Sequence, residues 1–239
     1  VFCEKAITVN AQQFDEVAQL AKEKHLILME GFTLYHMPIY QKMQDMIKTG
    51  KFGEIKMIQI NFGSLKDYDP QNRFFNKDLA GGALLDIGGY ATAFAISFMD
   101  EYPESINTTV KFLETGVDEE SGIILKNSKG QMAVMSLSMR AKQPKRGLVS
   151  GTKGYFEINQ YPRGTEADIT YTQSAHEESY DKVTTGDADQ ALEYEVTDFQ
   201  KYIEQGHDEG ELEKSRMIAH ILTSIRTAWG MTYPFDNEK

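Results

Sequence analysis

Residues 81–98, GGALLDIGGYATAFAISF, contain apolar side chains near helical spacing, which predicts a buried helix. Asp86 and Tyr90 are four residues apart within this pattern, so a helix places both on one face. Because unpaired polar groups are costly to bury, these two need partners or a function. Gly88 and Gly89 lie between them and indicate that another group approaches closely. A capping Asp86 and a satisfied core Tyr90 are the structural alternative, and the spacing alone leaves it open.

The composition of the chain excludes several classes of function. The 239 residues are 41% hydrophobic and 26% charged, as in an ordinary globular protein, and the formal net charge is −11. No basic stripe is present, so we expect no nucleic-acid partner. No apolar run reaches the ~18 residues of a membrane helix, so we expect no membrane partner.

Metal and disulfide chemistry are also not expected. The five histidines lack ligand spacing and no cysteine cluster accompanies them, so we expect no metal. Cys3 is the single cysteine, which rules out an intrachain disulfide and is typical of a reducing, cytoplasmic setting.

The first 30 residues predict a strand–helix–strand unit. The helix follows Asn10, a favoured N-cap residue, and residues 26–29 (LILM) form a continuous apolar run typical of a covered parallel strand. Glu4 and Lys5 follow the first strand and Glu30 follows the second. Ligands bind at such carboxyl ends of parallel strands. The chain opens on Val1, as if within a strand, so we expect that part of this sheet lies outside it.

The remainder predicts an α/β chain whose later part is α+β, with a large, mainly antiparallel open sheet packed against helices. A helix begins at Pro38, a strand covers residues 55–62, and residues 66–77 form a polar loop that contains Arg73. Two helices, residues 188–203 and 211–230, close the chain. The further strands are predicted at residues 106–113, 121–125, 131–139, 148–150, 155–158 and 169–172.

Several motifs in this order resemble the Gfo/Idh/MocA oxidoreductases, in the branch of glucose–fructose oxidoreductase and dimeric dihydrodiol dehydrogenase. The motifs are E-K-A at residues 4–6, T-G-K-F-G at 49–53, G-G-A-L-L-D-I-G-G-Y at 81–90 and the segment 230–236. The resemblance implies that residues 1–32 are the last part of a Rossmann domain that binds NAD or NADP. It also implies that residues 33–239 are a substrate-binding and oligomerisation domain. No glycine-rich phosphate loop is found in the chain, and in the family this loop lies upstream.

The resemblance also implies roles for individual residues. Lys5 matches the lysine that contacts the nicotinamide ribose and the reacting oxygen, Tyr90 the acid–base tyrosine, and Asp86 the aspartate beside them. A phenol has a free pKa of about 10, so an ammonium group such as Lys5 is expected to favour its ionised form. The predicted cofactor-binding residues are Glu4, Lys5 and Glu30. The predicted substrate-pocket residues are Tyr35, His36 and Arg73, for which loop anchoring or simple exposure is an equal alternative.

Two positions depart from the family's pattern. Ala6 replaces the motif proline, and Tyr35 stands where some relatives carry arginine. The orientation of the Lys5 side chain and the identity of the substrate therefore cannot be inferred from the family.

The predicted function is an NAD(P)-dependent oxidoreductase that moves a hydride to or from a hydroxyl or carbonyl of a sugar, polyol or dihydrodiol-like small molecule. We expect a homo-oligomer, dimer or tetramer. The first alternative is a truncated, non-catalytic binding or oligomerisation module. The second is use of the cofactor without net redox change, as in relatives of this fold that cleave glycosides.

Overall fold

The computed structural model describes residues 1–174, 176–208 and 210–236. It contains five α-helices within these residues: α1 (Ala11–Glu23), α2 (Pro38–Lys48), α3 (Gly89–Phe98), α4 (Ala191–Gln205) and α5 (Glu211–Ala228). The strands are β1 (Phe2–Glu4), β2 (Met29–Gly31), β3 (Ile55–Gly63), β4 (Ser105–Phe112), β5 (Asp118–Lys126), β6 (Met132–Ser138), β7 (Arg146–Gly151), β8 (Gly154–Asn159), β9 (Glu166–Ser174) and β10 (Glu177–Thr184).

The N-terminal unit is the predicted strand–helix–strand. β1 and β2 are parallel, with Glu4 opposite Gly31, and α1 connects them. Asn10 caps α1 by accepting a hydrogen bond from the Gln13 backbone N–H, as predicted. The second strand begins at Met29, so the prediction of a covered strand from Leu26 is wrong. Leu26 is 52% exposed because its N–H bonds to the Ala21 carbonyl and closes the last turn of α1.

A second sheet of eight strands forms the body of the molecule, in the order β10-β9-β8-β7-β3-β6-β5-β4. β3 runs parallel to β6, and the other neighbouring strands are antiparallel. The predicted mainly antiparallel sheet is thus confirmed. The strand β10 was not predicted, because its side chains are polar and exposed on this edge of the sheet, Tyr180 being 75% exposed.

Helices cover one face of the large sheet and leave the other open. α3 packs on β3 and against α5, and nearly all of its side chains are buried. A Cβ atom at Gly147 of β7 would lie 2.2 Å from the Phe94 ring, so this glycine lets α3 approach the sheet. Alternate residues along the central strands are exposed on the opposite face.

The predicted helix over residues 81–98 is divided into two parts. Leu84–Gly88 is a π-helical turn, and the α-helix α3 begins only at Gly89. Within the described residues, the segment Lys77–Phe98 is long and apolar enough to cross a membrane by length and composition alone, contrary to our expectation from the sequence. Its most apolar window is 72% buried inside the fold.

Candidate active site

The π-helical turn is held at its start by a buried carboxylate. Asp118, at the beginning of β5, accepts a hydrogen bond of 2.7 Å from the backbone N–H of Leu84. Gly82 has a φ of +119°, and a Cβ atom there would lie 2.1 Å from Asp118 Oδ1. Burial raises the pKa of Asp118 to about 7, although hydrogen bonds from backbone N–H groups, including that of Leu84, lower this pKa. Single π-helical turns are frequent at functional sites.

The turn presents Asp86 to Lys5 at the end of β1. The Lys5 ammonium donates a hydrogen bond to the backbone carbonyl of Asp86 and lies 3.5 Å from its Oδ1 atom. It also lies over the Tyr90 ring, 4.9 Å from the centroid. Arg73 Nη2 is 3.8 Å from the same Asp86 Oδ1 atom. The structure therefore brings together four residues that the sequence predicted for one site.

The Tyr90 side chain is half-buried between aromatic rings. The Phe32 ring lies edge-on at 5.7 Å and the Phe62 ring at 6.5 Å between centroids. Burial raises the pKa of the Tyr90 phenol, and interaction with the Thr33 side chain lowers it. The pKa of the phenol is raised overall, contrary to our expectation that Lys5 would favour the ionised form, and Lys5 is not among the largest contributors. The phenol therefore stays protonated at neutral pH.

Behind Tyr90 lies a line of buried polar groups. The Thr33 side chain interacts with both the Tyr90 phenol and the carboxylate of Glu195. Glu195 is 1% exposed, and burial raises its pKa while the neighbouring His36 and the Thr33 side chain lower it. His36 Nδ1 lies 2.8 Å from Oδ2 of Asp198, whose side chain is a quarter exposed. Glu195 Oε1 and His36 Nε2 are buried atoms without a hydrogen-bond partner among the described residues.

Thr33 and Glu195 were not predicted from the sequence. Thr33 is a common residue type in a segment without a motif. Glu195 could have been found from its helical spacing, because it shares the buried side of α4 with Ala191 and Tyr202. A carboxylate in that stripe needs a partner or a function.

Among the described residues, no group of three or more histidine, cysteine, aspartate or glutamate side chains is arranged to hold a metal ion.

Comparison with known proteins assigns the chain to a family. Residues 40–157 match the model of the GFO/IDH/MocA C-terminal domain. Trans-1,2-dihydrobenzene-1,2-diol dehydrogenase of Xenopus tropicalis is 30% identical over 243 residues, which are 98% of this chain and 72% of that protein. This chain belongs to the Gfo/Idh/MocA family of oxidoreductases. Membership confirms the predicted enzyme class, with NAD or NADP as the hydride carrier.

Solved structures show the same fold at lower identity. Levoglucosan dehydrogenase, in complex with NADH and levoglucosan, superposes with a TM-score of 0.83 at 19% identity, over 96% of this chain and 71% of that one. Aldose-aldose oxidoreductase from Caulobacter crescentus, complexed with glycerol, gives a TM-score of 0.82 at 20% identity, over 95% and 69% of the two chains. These similarities confirm the predicted fold class.

Two of the predicted cofactor-binding residues, Glu4 and Glu30, differ from each other in their exposure to solvent. Glu4 is exposed at the end of β1. Glu30 is buried, accepts a 2.9 Å hydrogen bond from the Ile7 N–H and interacts with Ser215. Burial raises the pKa of Glu30 to about 7. The carboxylate of Glu30 is thus engaged inside the protein, and its role as a cofactor ligand stays a prediction.

The three predicted substrate-pocket residues occupy separate places. Arg73 is exposed beside Asp86, and His36 belongs to the buried line behind Tyr90. Tyr35, where some Gfo/Idh/MocA relatives carry arginine, is buried with the Lys214 ammonium over its ring at 4.8 Å. Its hydroxyl has no partner among the described residues. Of the three, Arg73 reaches Asp86 directly.

Proposed function

We propose that this protein transfers a hydride between NAD or NADP and a hydroxyl or carbonyl carbon of a sugar, polyol or dihydrodiol-like molecule. The observation that carries the proposal is the convergence of Lys5, Asp86 and Tyr90 at the end of β1. The similarity to trans-1,2-dihydrobenzene-1,2-diol dehydrogenase supports a vicinal diol or its carbonyl counterpart as the reacting group.

The residues at the end of β1 fit a nicotinamide cofactor. β1 and β2 are parallel and end together, which is where dinucleotides bind in such sheets. Lys5 lies there with a side chain that is 15% exposed, and Glu4 is its exposed neighbour. Lys5 and Glu4 would hold the cofactor on this side. When bound, the nicotinamide supplies or accepts the hydride.

Tyr90 serves as the general acid in carbonyl reduction and as the base in the reverse direction. A proton must reach the substrate oxygen when hydride reaches its carbon, and the protonated Tyr90 phenol is suited to donate it. The Thr33 hydroxyl and the Glu195 carboxyl interact behind the phenol. In reduction they pass a proton to Tyr90 as it gives its own to the substrate oxygen, and in oxidation the Tyr90 proton moves through Thr33 to the Glu195 carboxylate as Tyr90 accepts the substrate proton. Lys5 orients the reacting oxygen, and Asp86 holds Lys5.

We propose the division of the chain into residues 1–32, as part of a dinucleotide-binding domain, and residues 33–239, as the substrate domain. The separation of the β1–β2 pair from the eight-stranded sheet supports this division.

We further propose that the open sheet face joins copies of this chain into a homo-oligomer. Ile124 lies opposite Val134, which lies opposite Gln59, which lies opposite Leu148, so this row crosses four strands and three of its four side chains are apolar. Light scattering is expected to show a dimer or tetramer that Val134→Asp dissociates. A monomeric wild-type protein would contradict this.

The single cysteine supports a reducing, cytoplasmic location, which a localisation experiment in the source cell tests.

The proposed reaction is tested by isotope transfer with the full-length protein. We expect deuterium at C4 of the reduced nicotinamide to appear at the former carbonyl carbon of the product, with one oxidised cofactor for each product. Glycoside cleavage without net change in the cofactor would contradict this proposal and support the non-redox alternative. Absence of NADH and NADPH binding would support the binding-module alternative.

A further inference from the structure

Cationic side chains gather on the loops around Tyr90. On the loop between β3 and the π-helical turn, Phe74 is flanked by two of them. Lys66 Nζ lies 3.7 Å from the ring centroid, and Arg73 Cζ lies 4.0 Å from it. Arg73 in turn reaches Asp86, so this pair of cations borders the catalytic residues directly.

A second group of cations comes from two other loops. Lys145 Nζ lies 5.1 Å from the centroid of Phe62, the ring that packs against Tyr90. The Lys145 carbonyl accepts a 2.7 Å hydrogen bond from the Gln160 N–H, which holds the loop of Arg163 against it. Arg163 acts electrostatically on the Tyr90 phenol. Three segments that are distant in sequence therefore bring cations close to the rings of Phe74, Phe62 and Tyr90.

The charges around Lys145 are of one sign. Lys142, Arg163 and Lys66 act on its ammonium and, together with partial burial, lower its pKa. Within the described part of the chain, no ion pair joins any of these four cations to a carboxylate. The whole protein has a net charge of −11, so a cluster of cations without ion pairs runs against its overall balance. Like charges held together in this way favour an incoming anion.

We propose that Lys66, Lys142, Lys145 and Arg163 form an anion site that binds a carboxylate or phosphate of the substrate. The substrate is then an acidic sugar derivative whose neutral hydroxyl or carbonyl end reaches Tyr90. This inference rests on the proposed function and narrows its substrate class. Phe74, which is partly exposed, supplies apolar surface for the sugar ring, and Arg73 closes the site beside Asp86.

The test compares matched neutral and anionic ligands with the full-length protein. Calorimetry is run with an aldose, the corresponding uronate and the corresponding sugar phosphate, with the cofactor present in its non-reacting redox state. We expect at least one of the two anions to bind ten times more tightly than the neutral sugar, and the tighter of the two identifies the group. Equal affinity for all three would overturn the proposal, whether or not the enzyme turns over.

The same measurements on variants locate the site. Lys66→Met/Lys145→Met removes two charges and keeps two long side chains, so we expect the preference for the anion to fall at least tenfold. Lys182→Met is the control, because Lys182 lies on the edge strand β10 and pairs with Glu166. It is expected to leave the preference unchanged. Loss of NADPH affinity with an intact anion preference would assign the cations to the cofactor phosphate and overturn the proposal.

Discussion

Lys5 and Asp86 are 81 residues apart in the chain, yet the Lys5 ammonium bonds the backbone carbonyl of Asp86 and faces its carboxylate at 3.5 Å. This pair ties the end of β1 to the π-helical turn below Tyr90. The Asp86 carboxylate also faces Arg73, so one anion lies within ion-pair distance of two cations.

Asp86→Asn removes that anion and keeps the shape of the side chain. We expect Lys5 and Arg73 to separate, and turnover to fall about 100-fold because the reacting oxygen is less well placed. Asp78→Asn, in the exposed turn that precedes residues 81–82, is the matched control and should keep wild-type turnover. Steady-state kinetics with the full-length protein make the comparison. Wild-type turnover in Asp86→Asn would remove Asp86 from the site.

The Thr33 hydroxyl is expected to connect Tyr90 with Glu195. Thr33→Val keeps the shape and removes the hydroxyl, so the phenol loses the interaction that lowers its pKa. We predict a fall in turnover of about 10²-fold, the lower end of the range for groups that transfer protons, and a basic limb of the pH–rate profile that moves to higher pH.

The control for this variant is Thr92→Val, which removes a buried hydroxyl without a partner in the described structure. We expect it to leave the pH profile unchanged and to be neutral or stabilising, since an unsatisfied polar group is lost. A Thr33→Val variant with an unmoved profile would show that the proton takes another path.

Buried Glu30 makes stability depend on pH. Its pKa is about 7 in the folded protein against an ordinary 4.5, so the folded state binds the extra proton between these values. Stability from this group is therefore present below pH 4.5 and is lost as the pH rises through 7. Glu30→Gln keeps an acceptor for the Ile7 N–H and cannot ionise. Relative to wild type, we expect it to gain about 2 kcal/mol of unfolding free energy between pH 5 and pH 7.5.

Urea unfolding at a series of pH values measures this gain. Glu54→Gln, an exposed carboxylate paired with Lys56, serves as the control and should show no comparable trend. A parallel pH dependence of the Glu30→Gln and wild-type proteins would exclude Glu30 as the titrating group.

Gly82 is predicted to be indispensable for the π-helical turn. Gly82→Ala combines a φ of +119° with a collision at Asp118, and we expect a loss of about 3 kcal/mol or more. Gly130→Ala has a φ of +80° but no atom within 4 Å of the new Cβ. It should cost about 1 kcal/mol, the strain of the left-handed conformation alone. Thermal unfolding distinguishes the two, and equal losses would contradict the assigned collision.

The helices and the central strands could be predicted because their apolar periodicities are strong. The strand predicted over residues 55–62 illustrates this. The start of α1 was predicted from a different feature, the favoured N-cap residue Asn10. β10 escaped prediction because an edge strand with exposed side chains has no buried face to impose a pattern. Leu26 was misassigned because an apolar run does not say which residues the fold covers.

The site shows a similar division. Lys5, Asp86 and Tyr90 were found through motif order, which carries the family's chemistry. Thr33 and Glu195 are joined to Tyr90 only by the packing of α4 against residues 33–36, and no local pattern records such a contact. The two-cation contact of Asp86 likewise depends on the fold of a polar loop.

The central claim is that the Tyr90 hydroxyl transfers the proton, and Tyr90→Phe tests it most directly. The measurement is single-turnover hydride transfer, with NADH and NADPH binding followed in parallel. Tyr180→Phe, which removes an exposed hydroxyl on β10, is the control. We predict that Tyr90→Phe slows hydride transfer by about 10²–10⁴-fold and leaves cofactor binding intact, while Tyr180→Phe changes neither. Hydride transfer at the wild-type rate in Tyr90→Phe would contradict this account of the site.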